Sequence, residues 1–238
     1  MCTVSWVHQA DGYHLLSNRD EKRMRGTALA PRVMECGGVR YLAPVDADYG
    51  GTWLAANEFG VSVCLLNGGS GPAGPRRSRG LLIRELAWAP SAADCVLWIK
   101  QLDLGRFAPF TLVVLEPAKA AILADWDGEA LAVDPAGDSH MPLTSSSYDA
   151  AGVRRSRVAD FERRVRAAGS LDPALLYWFQ ASHGSSPDAY SSCMHREDAE
   201  TVSFSWVTVT RQTVRVLYSP AAPCHCSPSE QQILTRAA

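Results

Sequence analysis

The clearest pattern in the chain is a short run with apolar residues on both faces. From Val61 to Leu66 the period-2 alternation puts Val61, Val63 and Leu65 on one face, and Cys64 and Leu66 on the other. A strand covered on both sides belongs to a layered fold, with other elements packed on each face. The stretch Gly50 to Asn57 reads as the strand before it, joined through a tight turn at Glu58-Phe59-Gly60. Nearer the start, Thr3 to His8 and Tyr13 to Ser17 read as two strands around Asp11-Gly12, a hairpin turn signal. That hairpin carries Asn18-Arg19-Asp20-Glu21 back towards Cys2.

Further along, the period changes. Gly80 to Ala89 and Ser91 to Leu102 read as helices, the second with Ser91 as N-cap and Ala92, Cys95, Val96 and Ile99 along one face. Phe110 to Glu116 and Ala120 to Trp126 read as a strand pair. Ser156 to Ala168 is expected as a helix closed by Gly169, and Asp172 to Ala181 as another with Pro173 in its first turn. Val202 to Val209 and Thr213 to Tyr218 form a closing antiparallel pair. Periodicity supports a mixed α/β domain, and 238 residues suit one domain over 1–238.

Charge narrows the function classes. A net charge of −2 gives no footprint for nucleic acid, and the arginines between Arg154 and Arg166 fall at helical spacing, as on a solvated face. No apolar run approaches the roughly 18 residues of a membrane span, and no signal peptide precedes Cys2, so a cytoplasmic protein is expected. Seven scattered cysteines suit a reducing compartment better than a disulfide framework. Cys193-Met194-His195 and Cys224-His225-Cys226 hold soft ligands. Neither run has a cysteine pair with two to four residues between its members, as zinc sites usually do, so no metal is expected. His183 or His195 with Cys193 offers a conventional Cys/His site, against which stands an ordinary hydrogen-bonded histidine. The Gly/Pro/Arg-rich stretch Gly68 to Arg79 is either a lid or a plain connector.

Candidate chemistry begins at Met1-Cys2. Removal of Met1 would leave a thiol and a free α-amine on one residue, nucleophile and base together. A carboxylate from Asn18-Arg19-Asp20-Glu21 could hold the ammonium, and Arg19 could anchor a substrate carboxylate or brace Asp20. The same residues could equally be a charged strand end. Asn67, at the open end of a buried strand and followed by Gly68-Gly69, is either an oxyanion-hole donor or turn chemistry.

Met1-Cys2, Asn18-Arg19-Asp20-Glu21, and Gly50-Gly51-Thr52-Trp53-Leu54 with Asn57 and Gly60 together resemble the NRDE family, also called the transport-and-Golgi-organisation family. Its opening is similar to that of penicillin V acylases and conjugated-bile-salt hydrolases, which are cysteine N-terminal nucleophile hydrolases. The resemblance implies an α+β fold, a four-layer αββα sandwich of two antiparallel sheets between helix layers. It implies Cys2 as nucleophile, Asp20 beside the α-amine, Asn67 in the oxyanion hole, and Arg157 of Ser156-Arg157 as a late site arginine, with Arg154 and Arg155 close by. Arg19 joins the catalytic set, and Asn18, Trp53 and Ser145 are expected to contact substrate. Two positions depart from the amidases: Ser17 stands where they carry an arginine, and Ser145 where they carry a second site asparagine. The function implied is hydrolysis of a linear amide or related acyl bond in a small molecule, without cofactor. The other reading is a non-catalytic haem- or lipid-handling protein that retains the fold.

Overall fold

The computed structural model describes residues 2–69, 77–184 and 186–237. Residues 70–76, the centre of the expected lid or connector, lie outside them. In chain order the strands and helices are β1 (Cys2–Gln9), β2 (Gly12–Lys22), β3 (Leu29–Cys36), β4 (Val39–Val45), β5 (Leu54–Asn57), β6 (Ser62–Asn67), α1 (Arg79–Leu86) and α2 (Ala92–Ile99). There follow β7 (Phe110–Leu115), β8 (Ile122–Trp126), β9 (Leu131–Asp134), β10 (Leu143–Ser145), α3 (Ala150–Ala168), α4 (Pro173–Gln180), β11 (Ala199–Val209), β12 (Thr213–Ser219) and β13 (Glu230–Thr235).

The strands form two antiparallel sheets. One runs β10-β1-β2-β11-β12-β13 and the other β3 through β9 in sequence order. The chain therefore has an α+β sandwich fold, and three apolar clusters explain its layering. Val4, Trp6, Tyr13 and Leu15 of the first sheet meet Leu54, Ala56, Cys64 and Val113 of the second between the sheets. On the second sheet's outer face, Val61, Val63, Leu65, Leu112 and Val114 pack against Leu82, Leu86, Cys95 and Ile99 of α1 and α2. The first sheet's outer face presents Leu16 and Phe204 to Phe161, Leu176 and Phe179 of α3 and α4. Two-sided burial of β6 is what its apolar-on-both-faces pattern requires.

Several elements differ from the sequence reading. The strand expected from Gly50 begins at Leu54, because Gly50 sits at φ +66° and Gly51 lies against Gly80. A Cβ on Gly51 would lie 2.6 Å from the Gly80 carbonyl carbon, so the Gly50-Gly51 pair lets the chain turn and touch the helix start. Helix α3 begins at Ala150 rather than Ser156, capped by Asp149, which accepts from the Gly152 amide at 2.9 Å. Arg157 thus lies in its interior. Strands β3, β4, β9, β10 and β13 escaped the pattern: β3 and β13 are largely exposed edge strands, and β10 spans three residues.

Candidate active site

Antiparallel pairing builds the site around Cys2. In the first sheet, Cys2 lies opposite Arg19 of β2 on one side and Ser145 of β10 on the other. The Cys2 backbone nitrogen donates to the Ser145 hydroxyl at 3.1 Å. Serine is short enough to sit directly beside that nitrogen, so Ser145 contacts the position of the expected base. The Cys2 side chain is buried, 4% exposed, and burial above all pushes its thiol up. The Asp20 and Glu21 carboxylates add to that shift while Arg19 opposes it.

Alternation along β2 splits the Asn-Arg-Asp-Glu tetrad. Asn18 is fully buried, and its amide donates to the Gln180 and Ser192 carbonyls, both at 2.8 Å. It therefore ties β2 to α4 and the loop beyond, and is absent from the cavity lining where a substrate contact was expected. Asp20 is buried as well. Its Oδ1 accepts from Thr201 at 2.6 Å, and its Oδ2 faces both terminal nitrogens of Arg157 at 3.5 Å. The Asp20 and Arg157 side chains are both 0% exposed, so each is the other's compensating charge. Arg157 also donates to the Thr3 hydroxyl, to Thr144 at 3.0 Å and to the Ala189 carbonyl at 3.1 Å. Burial lowers its pKa and Asp20 counters the shift. Arg157 is outside the cavity lining and acts on the site through Asp20 and strand β1.

Arg19 points the other way. It reaches Asp46 at 2.8 Å and Glu21 at 3.5 Å, and its guanidinium lies 4.7 Å from the centre of the Trp53 ring. Asp46 is a site residue that the sequence reading missed. Its second oxygen caps a turn by accepting from the Asp48 and Tyr49 amides, while Arg19 and Arg25 share the first. Only its position four residues before Gly50-Gly51 hinted at it.

These residues surround one cavity of about 610 Å³. Cys2, Arg19, Asp20, Trp53 and Asn67 all line it, although they come from β1, β2, the segment before β5 and the end of β6. Asn67 is half-buried, and no described residue holds its side-chain amide. Its backbone pairs with Phe110, and Gly68 donates to the Pro109 carbonyl at 2.9 Å, fixing the strand end. Lys22, Arg25, Arg77 and Arg79 line the cavity as well, alongside the Glu21 and Asp46 carboxylates.

The two Cys/His runs, each lacking a metal-site spacing alone, are joined by the fold. Cys193 and His195 lie beside Cys224, and His183 from the end of α4 completes a group of four possible ligands. The sequence reading sets the two runs together as soft ligands, expects no metal because of their spacing, and does not join His183 to them. Among the described residues no helix is long and apolar enough to cross a membrane.

The fold is that of several amide-hydrolysing enzymes. The chain superposes on N-acylethanolamine-hydrolyzing acid amidase from Caenorhabditis elegans with a TM-score of 0.61 at 14% identity, covering 87% of this chain and 92% of that one. For the C2A mutant of conjugated bile acid hydrolase from Clostridium perfringens the TM-score is 0.58 at 11% identity, with 100% and 97% covered. Penicillin V acylase from Agrobacterium tumefaciens gives 0.55 at 8% identity, with 93% and 83% covered. Identities this low establish a shared N-terminal nucleophile hydrolase fold and leave activity to be argued from the site. No curated protein sequence matches. The family model for Transport and Golgi organisation 2 matches residues 1–158, from Cys2 and the tetrad through Arg157, and the chain belongs to that family.

Proposed function

We propose that this protein is a cysteine N-terminal nucleophile hydrolase of a linear amide or related acyl bond, active once Met1 is removed. The observation that carries the reading is the convergence of Cys2, Arg19, Asp20, Trp53 and Asn67 on one cavity. In the reaction, the Cys2 α-amine takes the thiol proton and the sulfur attacks the acyl carbon. The Asn67 amide donates to the resulting oxyanion. Collapse breaks the carbon–nitrogen bond, the leaving amine takes the proton from the ammonium, and a thioester remains on Cys2. Water, deprotonated by the same amine, then attacks the thioester, releasing the acid and restoring the thiol. Asp20, held by Arg157 and Thr201, favours the ammonium form, and Ser145 orients the nitrogen. Arg19, fixed by Asp46 and Trp53, holds the wall beside the sulfur. Arg19, Lys22, Arg25, Arg77 and Arg79 outnumber Asp20, Glu21 and Asp46 in the lining, which suits a small-molecule substrate with an anionic end. We read residues 1–238 as one such domain, working in the cytoplasm, where seven unpaired thiols are stable, and needing no cofactor.

One observation favours a second reading. A 4% exposed thiol raised by burial suits a cavity that holds a haem or lipid without turning it over. Intact mass identifies protein with and without Met1, and an amide library assayed on both forms and on Cys2→Ser separates the readings. Turnover is expected only with Met1 removed and Cys2 present. Turnover that persists with Met1 retained moves the base elsewhere and sinks the N-terminal nucleophile mechanism. Ligand binding equal in all three proteins, with no turnover in any, establishes the carrier.

A further inference from the structure

From the cluster of His183, Cys193, His195 and Cys224 we infer a tetrahedral zinc site that clamps the back of the active site. One potential donor atom from each residue lies within 4.8 Å of all the others. Cys193 and Cys224 place their sulfurs 3.4 Å apart. The His195 Nε2 is 3.6 Å from the first sulfur and 3.2 Å from the second. Zinc bonds of about 2.3 Å to sulfur and about 2.0–2.1 Å to nitrogen, at tetrahedral angles, set sulfur–sulfur edges of roughly 3.8 Å and sulfur–nitrogen edges of roughly 3.6 Å. The three measured edges match these to within a few tenths of an ångström. The fourth ligand brings an independent sign: the His183 Nε2 is buried with no hydrogen-bond partner among the described residues, an expensive state for an imidazole without a cation to fill it. Two thiols and two imidazoles are the donor set of a closed structural zinc site, in which every coordination position is protein. A disulfide between Cys193 and Cys224 would account for neither histidine.

The four ligands come from three segments: the end of α4, the stretch before β11, and the loop between β12 and β13. Between the first two lie Ala189, whose carbonyl accepts from Arg157, and Ser192, whose carbonyl accepts from Asn18. Next to Cys193, Met194 is bonded to Thr201 in both directions, and the Thr201 hydroxyl donates to Asp20. Cys193 itself donates its backbone N–H to the Ser182 carbonyl at 2.9 Å. Metal at this point would fix the loop that holds Asn18, Asp20 and Arg157 in place. On binding, both thiols release their protons to solvent and no electrons move.

The test uses the full chain, reduced and verified thiol by thiol, then incubated with excess zinc and desalted. One equivalent of zinc by elemental analysis is expected in the wild type. Cys2→Ser and Cys226→Ser should keep it, which excludes the N-terminal thiol and the neighbouring exposed one. Cys224→Ser and His183→Ala, both at partly exposed positions, should bind at least about 100-fold more weakly in a chelator competition, beyond the usual cost of losing an outer partner. Cobalt substitution gives a second readout: thiolate charge-transfer and strong tetrahedral ligand-field bands in the wild type, both weakened in Cys224→Ser. Zinc should also raise the melting temperature of the wild type and leave that of Cys224→Ser unmoved. No bound zinc in fully reduced wild type, or a full equivalent retained by both Cys224→Ser and His183→Ala, overturns the site.

Discussion

Cys2 and Cys193 are both buried thiols, and the fold gives them opposite company. Cys2 stands among oxygen and nitrogen groups that carry charge, with Arg19 and Ser145 across the two neighbouring strands and a cavity of about 610 Å³ in front. Cys193 faces a second thiol at 3.4 Å and an imidazole at 3.6 Å, and lines none of that cavity. A thiol beside a base and an open space is placed to attack a carbon. A thiol among other soft donors is placed to hold a metal. Residue type is the same at both positions. The neighbours decide the chemistry, and each of the following experiments tests whether the division is as clean as the geometry makes it.

The largest effect is expected at the nucleophile. Cys2→Ala should reduce amide turnover by roughly a thousandfold or more, as loss of a nucleophile does in enzymes whose residues act as a unit. Its zinc content should equal that of the wild type. Residual turnover near the wild-type rate would make Cys2 a bystander and erase the contrast with Cys193.

Next comes the charge pair behind Cys2. Arg157→Ala removes the guanidinium facing the buried Asp20 carboxylate and should cost about 3–5 kcal/mol in urea unfolding. The double variant Asp20→Asn, Arg157→Met removes both charges and should recover much of that loss. A single variant as stable as wild type would mean that the cavity Asp20 lines supplies enough water to solvate its carboxylate without the guanidinium. Asn67→Ala, at the rim, should behave differently. It should cut kcat by about 10²–10³, as loss of an oxyanion donor does, with KM and unfolding nearly unchanged. A change confined to KM would reassign Asn67 to ground-state binding.

The two sites were unequally legible in the sequence. The alternation of β1, β2 and β6 and the resemblance of the opening third pointed to the sandwich and to Cys2, Asp20 and Asn67. Local patterns suffice there because the site is assembled at strand ends, where hairpins return the chain to a fixed place. Asn18, expected to contact substrate, is held instead by the Gln180 and Ser192 carbonyls, partners too far along the chain for a local pattern to name. Asp46 and β10 were invisible because their roles depend on partners far along the chain, Arg19 for one and Cys2 for the other. The proposed metal cluster was legible only in part: both Cys/His runs stood out as soft ligands, but their spacing argued against a metal and His183 was not joined to them. Its ligands lie at positions 183, 193, 195 and 224, a spacing that no short motif describes, and only the stacking of α4, β11 and the loop after β12 brings them together.

The smallest effect, and the finest test of the contrast, is in thiol labelling. Burial raises the Cys2 thiol in the chain that retains Met1, so its thiolate fraction at neutral pH is below that of an ordinary cysteine. Its labelling by an alkylator should therefore climb as pH rises past the usual thiol value. Cys95, pushed up to about 12 by burial, should stay unlabelled over the same range, and exposed Cys226 should label first. Zinc should change only one part of this order. Adding it should slow labelling at Cys193 and Cys224 and leave the rate at Cys2 as it was, because donation to zinc draws charge from the sulfur and lowers its nucleophilicity while Cys2 lines a separate cavity. Mass mapping after brief exposure, with and without zinc, reads all seven cysteines in one experiment. Protection of Cys2 by zinc would show the metal bound at the Cys2 thiol instead. The two cysteines would then be competing for one role rather than dividing two between them.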